Sequence, residues 1–102
     1  MTPTGEQSTF QVTARFFGPY KQVTKKRDID ISLTEKSTVS LLLEVIITQY
    51  PPLKDLILDE YSKLGSWVVI LINGRNMSIF NGLNTPLKEG DTIAIFPPVA
   101  GG

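Results

Sequence analysis

The last two residues of the chain, Gly101 and Gly102, carry the group whose surroundings most invite chemistry, a terminal carboxylate with no side chain beside it. Glycine has no Cβ, so such an end can enter a channel too narrow for side chains and adopt backbone angles closed to other residues. The residues before it are Pro97, Pro98, Val99 and Ala100. Each proline fixes its own φ, and Pro98 also pushes Pro97 toward extended geometry, so the segment is expected to project from the body as a stiff polyproline II arm. Residues 97–102 therefore read as an extended tail in which Pro97, Pro98, Val99, Ala100 and Gly101 are threaded and Gly102 reacts.

Other chemistry is scarce. The chain has no cysteine and no histidine, which removes the thiolate nucleophile, the usual general base and the commonest metal ligands. Asp28, Asp30, Asp55 and Asp59 are scattered or alternate along strand and loop, a pattern of solvated faces rather than of a metal cage or an acid/base pair. No metal site and no cofactor bound by the chain itself are expected. Ten basic and ten acidic residues cancel, so no overall field draws in nucleic acid or anionic lipid. Lys21, Lys25, Lys26 and Arg27 cluster locally, but without interleaved aromatics beyond Tyr20 or a glycine-rich phosphate cradle they read as a solvated hairpin loop.

With 102 residues, 41% of them hydrophobic, the chain suits a single domain with its own core. Residues 1–8 lack the basic and apolar regions of a signal peptide and read as a disordered N-terminal arm. The apolar stretches at 41–47 and 67–72 are far shorter than the ~20 residues that span a bilayer. A soluble, cytoplasmic protein with no membrane partner is expected.

The elements that hold the tail follow from periodicity. Phe10, Val12, Ala14 and Phe16 alternate with polar residues, as a strand with one buried face does. Gly18-Pro19 marks a turn, and the alternating run from Asp28 to Leu33 predicts a second strand antiparallel to the first. Thr38 is a candidate N-cap for a helix whose Val39, Leu42, Leu43, Ile46, Ile47 and Tyr50 recur at helical spacing until Pro51-Pro52. Leu53, Leu56 and Ile57 suggest a short helical turn. The run from Trp67 to Ile72 predicts a central strand covered on both faces, ending at the Asn73-Gly74 turn, with a short edge strand over 77–80. Residues 81–91 read as a turn-rich connection anchored by Leu87, and Thr92 to Phe96 as the last strand, placed beside the first. The result is an α+β chain, a mixed four- to five-stranded sheet on one main helix, which is the β-grasp, ubiquitin-like architecture over residues 9–96.

The segment Gly90-Asp91-Thr92-Ile93-Ala94-Ile95-Phe96-Pro97-Pro98-Val99-Ala100-Gly101-Gly102 resembles the C-terminus of molybdopterin synthase small subunits. Phe16-Phe17, the Thr38-Val39 helix start, Ile72-Asn73-Gly74 and the 83–87 approach look similar as well, so the resemblance spans residues 9–102. Thiamine-pathway sulfur carriers and small archaeal ubiquitin-like modifiers share the fold and the Gly-Gly end. The resemblance implies that a ubiquitin-activating-like enzyme adenylates the Gly102 carboxylate with ATP, and that a persulfide sulfur donor then converts it to a thiocarboxylate. The large synthase subunit would take the tail and use the sulfur to build the molybdopterin dithiolene. The chain would then be no enzyme alone but the sulfur-donating subunit of a sulfurtransferase complex. The same activated tail would equally serve a protein modifier joined to lysines of target proteins through Gly102, and both readings stay open here.

Strand phase also predicts a docking face. If Phe10, Val12, Phe16, Ile29, Ile31, Ile70, Ile72, Ile93 and Ile95 face the helix, then Phe17, Val69, Leu71, Ala94 and Phe96 share the opposite face, with Arg15 at its rim. An apolar patch on an open sheet calls for a partner, and Phe17 and Phe96 are the expected anchors.

Overall fold

The computed structural model describes residues 8–98. The expected arm, apart from Ser8, and the tail residues Val99, Ala100, Gly101 and Gly102 lie outside the described residues. The first strand, β1 (Thr9–Phe16), turns Val12, Ala14 and Phe16 into the core and leaves Gln11, Thr13 and Arg15 on the other side. It pairs antiparallel with β2 (Asp28–Thr34), setting Phe10 against Leu33, Val12 against Ile31 and Ala14 against Ile29.

Residues 18–27, expected as a solvated loop, instead begin with a short helix, α1 (Gly18–Thr24). Gly18 adopts φ +58, which turns the chain out of β1, and Pro19 supplies a ready-made φ in the first helical turn. Tyr20 and Thr24, four residues apart, are carried inward and buried. Among the described residues the Tyr20 hydroxyl has no hydrogen-bond partner, and burial raises its pKa above the ordinary phenol value, an effect the nearby Trp67 side chain opposes.

The main helix, α2 (Val39–Gln49), starts where Thr38 Oγ1 accepts from the Leu41 amide at 3.4 Å. Val39, Leu42, Leu43 and Ile46 are buried against the sheet, and Pro51-Pro52 leads into the short α3 (Leu53–Ile57), which buries Leu53 and Ile57. The apolar run at 67–72 is a shorter strand than its composition suggests. β3 (Val69–Ile72) buries Ile70 and Ile72 but leaves Val69 39% exposed, so the strand is covered on one face, not two. Trp67 leaves the strand direction, lies over Gly65 and donates its indole N–H to the Leu56 carbonyl at 3.0 Å. The physical reason is that its second apolar row belongs to an open sheet face rather than to another layer.

Asn73-Gly74 make the turn, both at positive φ, into β4 (Arg75–Asn76). The edge strand expected at 77–80 is absent: Met77–Ile79 form a 3₁₀ turn because the Asn76 side chain accepts from the Ser78 amide at 2.9 Å and diverts the backbone. Leu87 is buried and ties its amide to the Ser37 carbonyl at 2.9 Å, anchoring the long connection as expected. β5 (Thr92–Phe96) completes a five-stranded sheet in the order β2-β1-β5-β3-β4. It runs parallel to β1 and antiparallel to β3, so the last strand sits in the middle of the sheet. This is a β-grasp sheet with its helices sharing one buried cluster, and no helix among the described residues is long and apolar enough to cross a membrane.

Candidate functional site

The start of β5 is fixed by hydrogen bonds. Asp91 is buried, its Oδ1 accepts from Asn73 Nδ2 at 2.9 Å, and its Oδ2 accepts from the Lys88 amide at 2.9 Å. Asn73 Oδ1 accepts in turn from the Thr92 amide at 2.9 Å, locking the β3–β4 turn to the first residue of β5. From there the strand alternates: Ile93 and Ile95 are fully buried, whereas Thr92, Ala94 and Phe96 face the open side.

That open side gathers the residues expected from strand phase. Val69 pairs with Phe96, Leu71 with Ala94 and Arg15 with Ala94, so five of these side chains stand on three adjoining strands. Phe17 follows β1 and stacks flat on Phe96, ring centroids 4.3 Å apart and planes 7° from parallel. Val69 is exposed, while Phe17, Leu71, Ala94, Phe96 and Arg15 are half-buried.

Arg15 is already engaged within the chain. Its Nε donates to Asp28 Oδ1 at 2.8 Å and its Nη2 to Oδ2 at 3.2 Å, and Arg27 adds bonds of 3.3 and 3.2 Å to the same carboxylate. Hydrogen bonding from Arg15, helped by Arg27, holds the Asp28 carboxyl down to about 2 and raises the Arg15 pKa in return. Both side chains remain 35% exposed, so water screens the pair. Arg15 thus borders the patch as half of an ion pair rather than as a free cation.

The tail root continues this surface. Pro97 is half-buried and Pro98 exposed. The Pro97 ring rests on Gly18, where an added Cβ would stand 2.9 Å from Pro97 Cγ. Gly18, Lys21, Gln22 and Lys25 line a shallow depression beside it. Sequence periodicity missed this seat because it joins residues far apart in the chain, although Pro19 at a helix start and the Tyr20 to Thr24 spacing signal α1. The buried Asp91 carboxylate likewise carries no sequence signal beyond its place at the end of a turn-rich connection.

Among the described residues no group of His, Cys, Asp or Glu could hold a metal ion. What this region presents is a shaped apolar surface continuous with a directed tail root. The ThiS family matches residues 14–102. The chain belongs to the ThiS family.

This ThiS-family chain is 29% identical over 92 residues to small archaeal modifier protein 3 of Haloferax volcanii, covering 90% of the chain and 99% of that relative. It is 39% identical over 77 residues to a candidate sulfur carrier protein of Archaeoglobus fulgidus, covering 74% of the chain and 84% of that relative. The solved structure of a candidate molybdopterin converting factor subunit 1 of Pyrococcus furiosus superposes with a TM-score of 0.72 at 28% identity, over 88% of the chain and 99% of that structure. The ThiS-family chain is therefore a ubiquitin-like protein of the sulfur-carrier and modifier group.

Proposed function

We propose that this chain is a sulfur carrier whose Gly102 carboxylate is adenylated and then thiocarboxylated, and that it serves as the small subunit of molybdopterin synthase. The carrying observation is that the Phe17–Phe96 stack and the exposed Val69 form an apolar docking surface that ends directly at the Pro97 seat, the root of a Gly-Gly tail. A similar protein of Pyrococcus furiosus named for molybdopterin conversion supports the choice of pathway.

The carboxylate is a poor acyl donor, and its attack on the α-phosphorus of ATP releases pyrophosphate and gives an acyl adenylate with a good leaving group. The terminal sulfur of a persulfide displaces AMP, and a second thiol cleaves the resulting acyl disulfide to leave the thiocarboxylate. ATP is consumed by the activating enzyme, and the carrier binds no cofactor itself. Its own residues supply docking and delivery: Phe17, Val69, Leu71, Ala94 and Phe96 meet the activating enzyme and the large subunit in turn. All of this takes place in the cytoplasm, without nucleic acid or membrane.

A second reading is favoured by the likeness to small archaeal modifier protein 3. The same acyl adenylate, passed to a lysine amine, gives an isopeptide bond between Gly102 and a target protein. The deciding experiment appends one residue after Gly102 and measures ATP–pyrophosphate exchange with the activating enzyme of the same host. Loss of exchange with an unchanged fold is expected for either reading, and retained exchange contradicts the threaded tail. Transfer of sulfur to the large subunit, with dithiolene formed, supports the first reading; conjugates without it support the second.

A further inference from the structure

β1 and β5 run parallel, and three consecutive residues of each meet beyond the middle of the sheet. Phe16 pairs with Ile95, Phe17 stacks on Phe96, and Gly18 carries the Pro97 ring. The third contact differs in kind from the other two. Gly18 is in the left-handed region at φ +58, and the space its missing Cβ would fill is occupied by Pro97 Cγ at 2.9 Å. The seat is therefore bare backbone, held on one side by the β1–β5 ladder and on the other by α1, whose Tyr20 and Thr24 are buried.

The direction of the chain at Pro97 has few other determinants. Pro97 has a fixed φ, Pro98 confines it to extended geometry, and neither ring can donate a backbone hydrogen bond. What the Pro97 ring rests on thus decides where the following residues start. Four residues beyond Pro98 reach at most about 14 Å, so a swing of about 20° at Pro97 would carry the tip roughly 5 Å sideways, as wide as a neighbouring strand is distant.

We propose that Gly18 is a positioning residue: its bare Cα seats the Pro97 ring and sets the line along which the C-terminal glycines leave the domain. This rests on the reading of Gly102 as the activated carboxylate. Gly18 touches no reacting atom and acts through Pro97 alone. The docking patch of Val69, Leu71, Ala94 and the Phe17–Phe96 pair does not need Gly18, so the defect of a Gly18 variant falls on the step at the tip and not on binding.

The test is a double-mutant cycle on Gly18→Ala and Pro97→Ala, read as kcat and KM for adenylation by the host's activating enzyme, with thermal melting of each variant. Gly18→Ala is expected to lower kcat roughly ten- to hundredfold with KM unchanged. Pro97→Ala removes Cγ and leaves Cβ 3.8 Å from the new methyl group, an ordinary contact, so adding Gly18→Ala to that background should lower kcat little further, even though the left-handed φ of residue 18 still lowers the melting temperature. A merely structural role for Gly18 predicts the opposite, an equal loss in both backgrounds that follows the fall in melting temperature, and would overturn the proposal. Should Gly18→Ala fail to fold, Pro97→Ala alone keeps the test: it must lower kcat without raising KM, and an unchanged kcat overturns the proposal. A nuclear Overhauser contact between Gly18 Hα and Pro97 Hγ reads the seat independently of activity. Its absence overturns the proposal, whereas a seated Pro97 in a wild-type protein that is never adenylated overturns the reading of Gly102 instead.

Discussion

The two ends of β5 are held by different physics. At its start, Asn73 and the Lys88 and Thr92 amides form a linked set of directional 2.9 Å hydrogen bonds around the buried Asp91 carboxylate. At its end, the Phe17–Phe96 stack and the Pro97–Gly18 contact hold the strand by non-directional packing, half open to water. Hydrogen bonds that stay closed suit a fixed register, because leaving one partner buried and unpaired is costly. Apolar surface left at the rim suits the docking proposed above, in which a partner would complete its burial. The strand that completes the fold is thus anchored polar at the core end and left adhesive at the tail end.

The comparison breaks most visibly within two adjacent residues. Ile95→Ala removes a fully buried side chain and should destabilise the domain by about 2–5 kcal/mol in denaturant unfolding. Phe96→Ala, one residue on, should cost the fold far less and weaken binding to the activating enzyme by about 2 kcal/mol or more in calorimetry. Equal destabilisation by both, with unchanged binding for Phe96→Ala, would remove the distinction between the faces.

Next in size is the polar end. Asp91→Ala removes a buried carboxylate that accepts hydrogen bonds from the Asn73 amide and the Lys88 N–H, and should cost about 1–3 kcal/mol of stability while leaving partner affinity unchanged. Loss of affinity on this substitution would show that the two ends are coupled. Tyr20→Phe deletes a buried hydroxyl without a partner among the described residues and should leave stability the same or raise it by about 1 kcal/mol, which thermal melting would register. A marked loss would mean that the hydroxyl is bonded after all.

The smallest effect concerns Asp28. Its pKa is lowered to about 2 in the folded chain, from an unfolded value near 3.8, so its ion pair stabilises the fold above the unfolded value and fades as pH falls through the folded one. Because Arg15 and Asp28 are both well exposed, acid titration of Asp28→Asn against the parent should show only a slight stability difference, present above about pH 4 and fading between about pH 4 and 2. A difference that persists at lower pH would assign it to another group.

The alternation in β1, β2 and β5 made the sheet legible from sequence, and with it the two rows of side chains on opposite faces, because period two is a local property of a strand with one buried side. The Thr38 cap and the Pro51-Pro52 stop made α2 legible in the same way. The turn at 75–79 was not, since one Asn76 side-chain hydrogen bond decides it over strand propensity. Residues 67–72 misled because β-branched composition does not tell a strand buried on both faces from one whose second apolar row is left open. Of the tail, residues up to Pro98 gain a setting from the fold, namely the Pro97 seat, which no local pattern encodes. Val99, Ala100, Gly101 and Gly102 rest on the chemistry of their sequence.

The central claim is that the fold exists to present Gly102 as an activatable carboxylate. Intact-mass spectrometry of the protein recovered from its native host tests it most directly, with an immunoblot of the same lysate for conjugates. The account predicts a species in which sulfur replaces one oxygen at the C-terminus, lost when Gly102 is deleted. A conjugate ladder that vanishes with Gly102 would keep the activated tail but make lysine the acceptor. Neither sulfur nor conjugates, in cells making the activating enzyme, would contradict the account and leave a β-grasp domain with an inert tail.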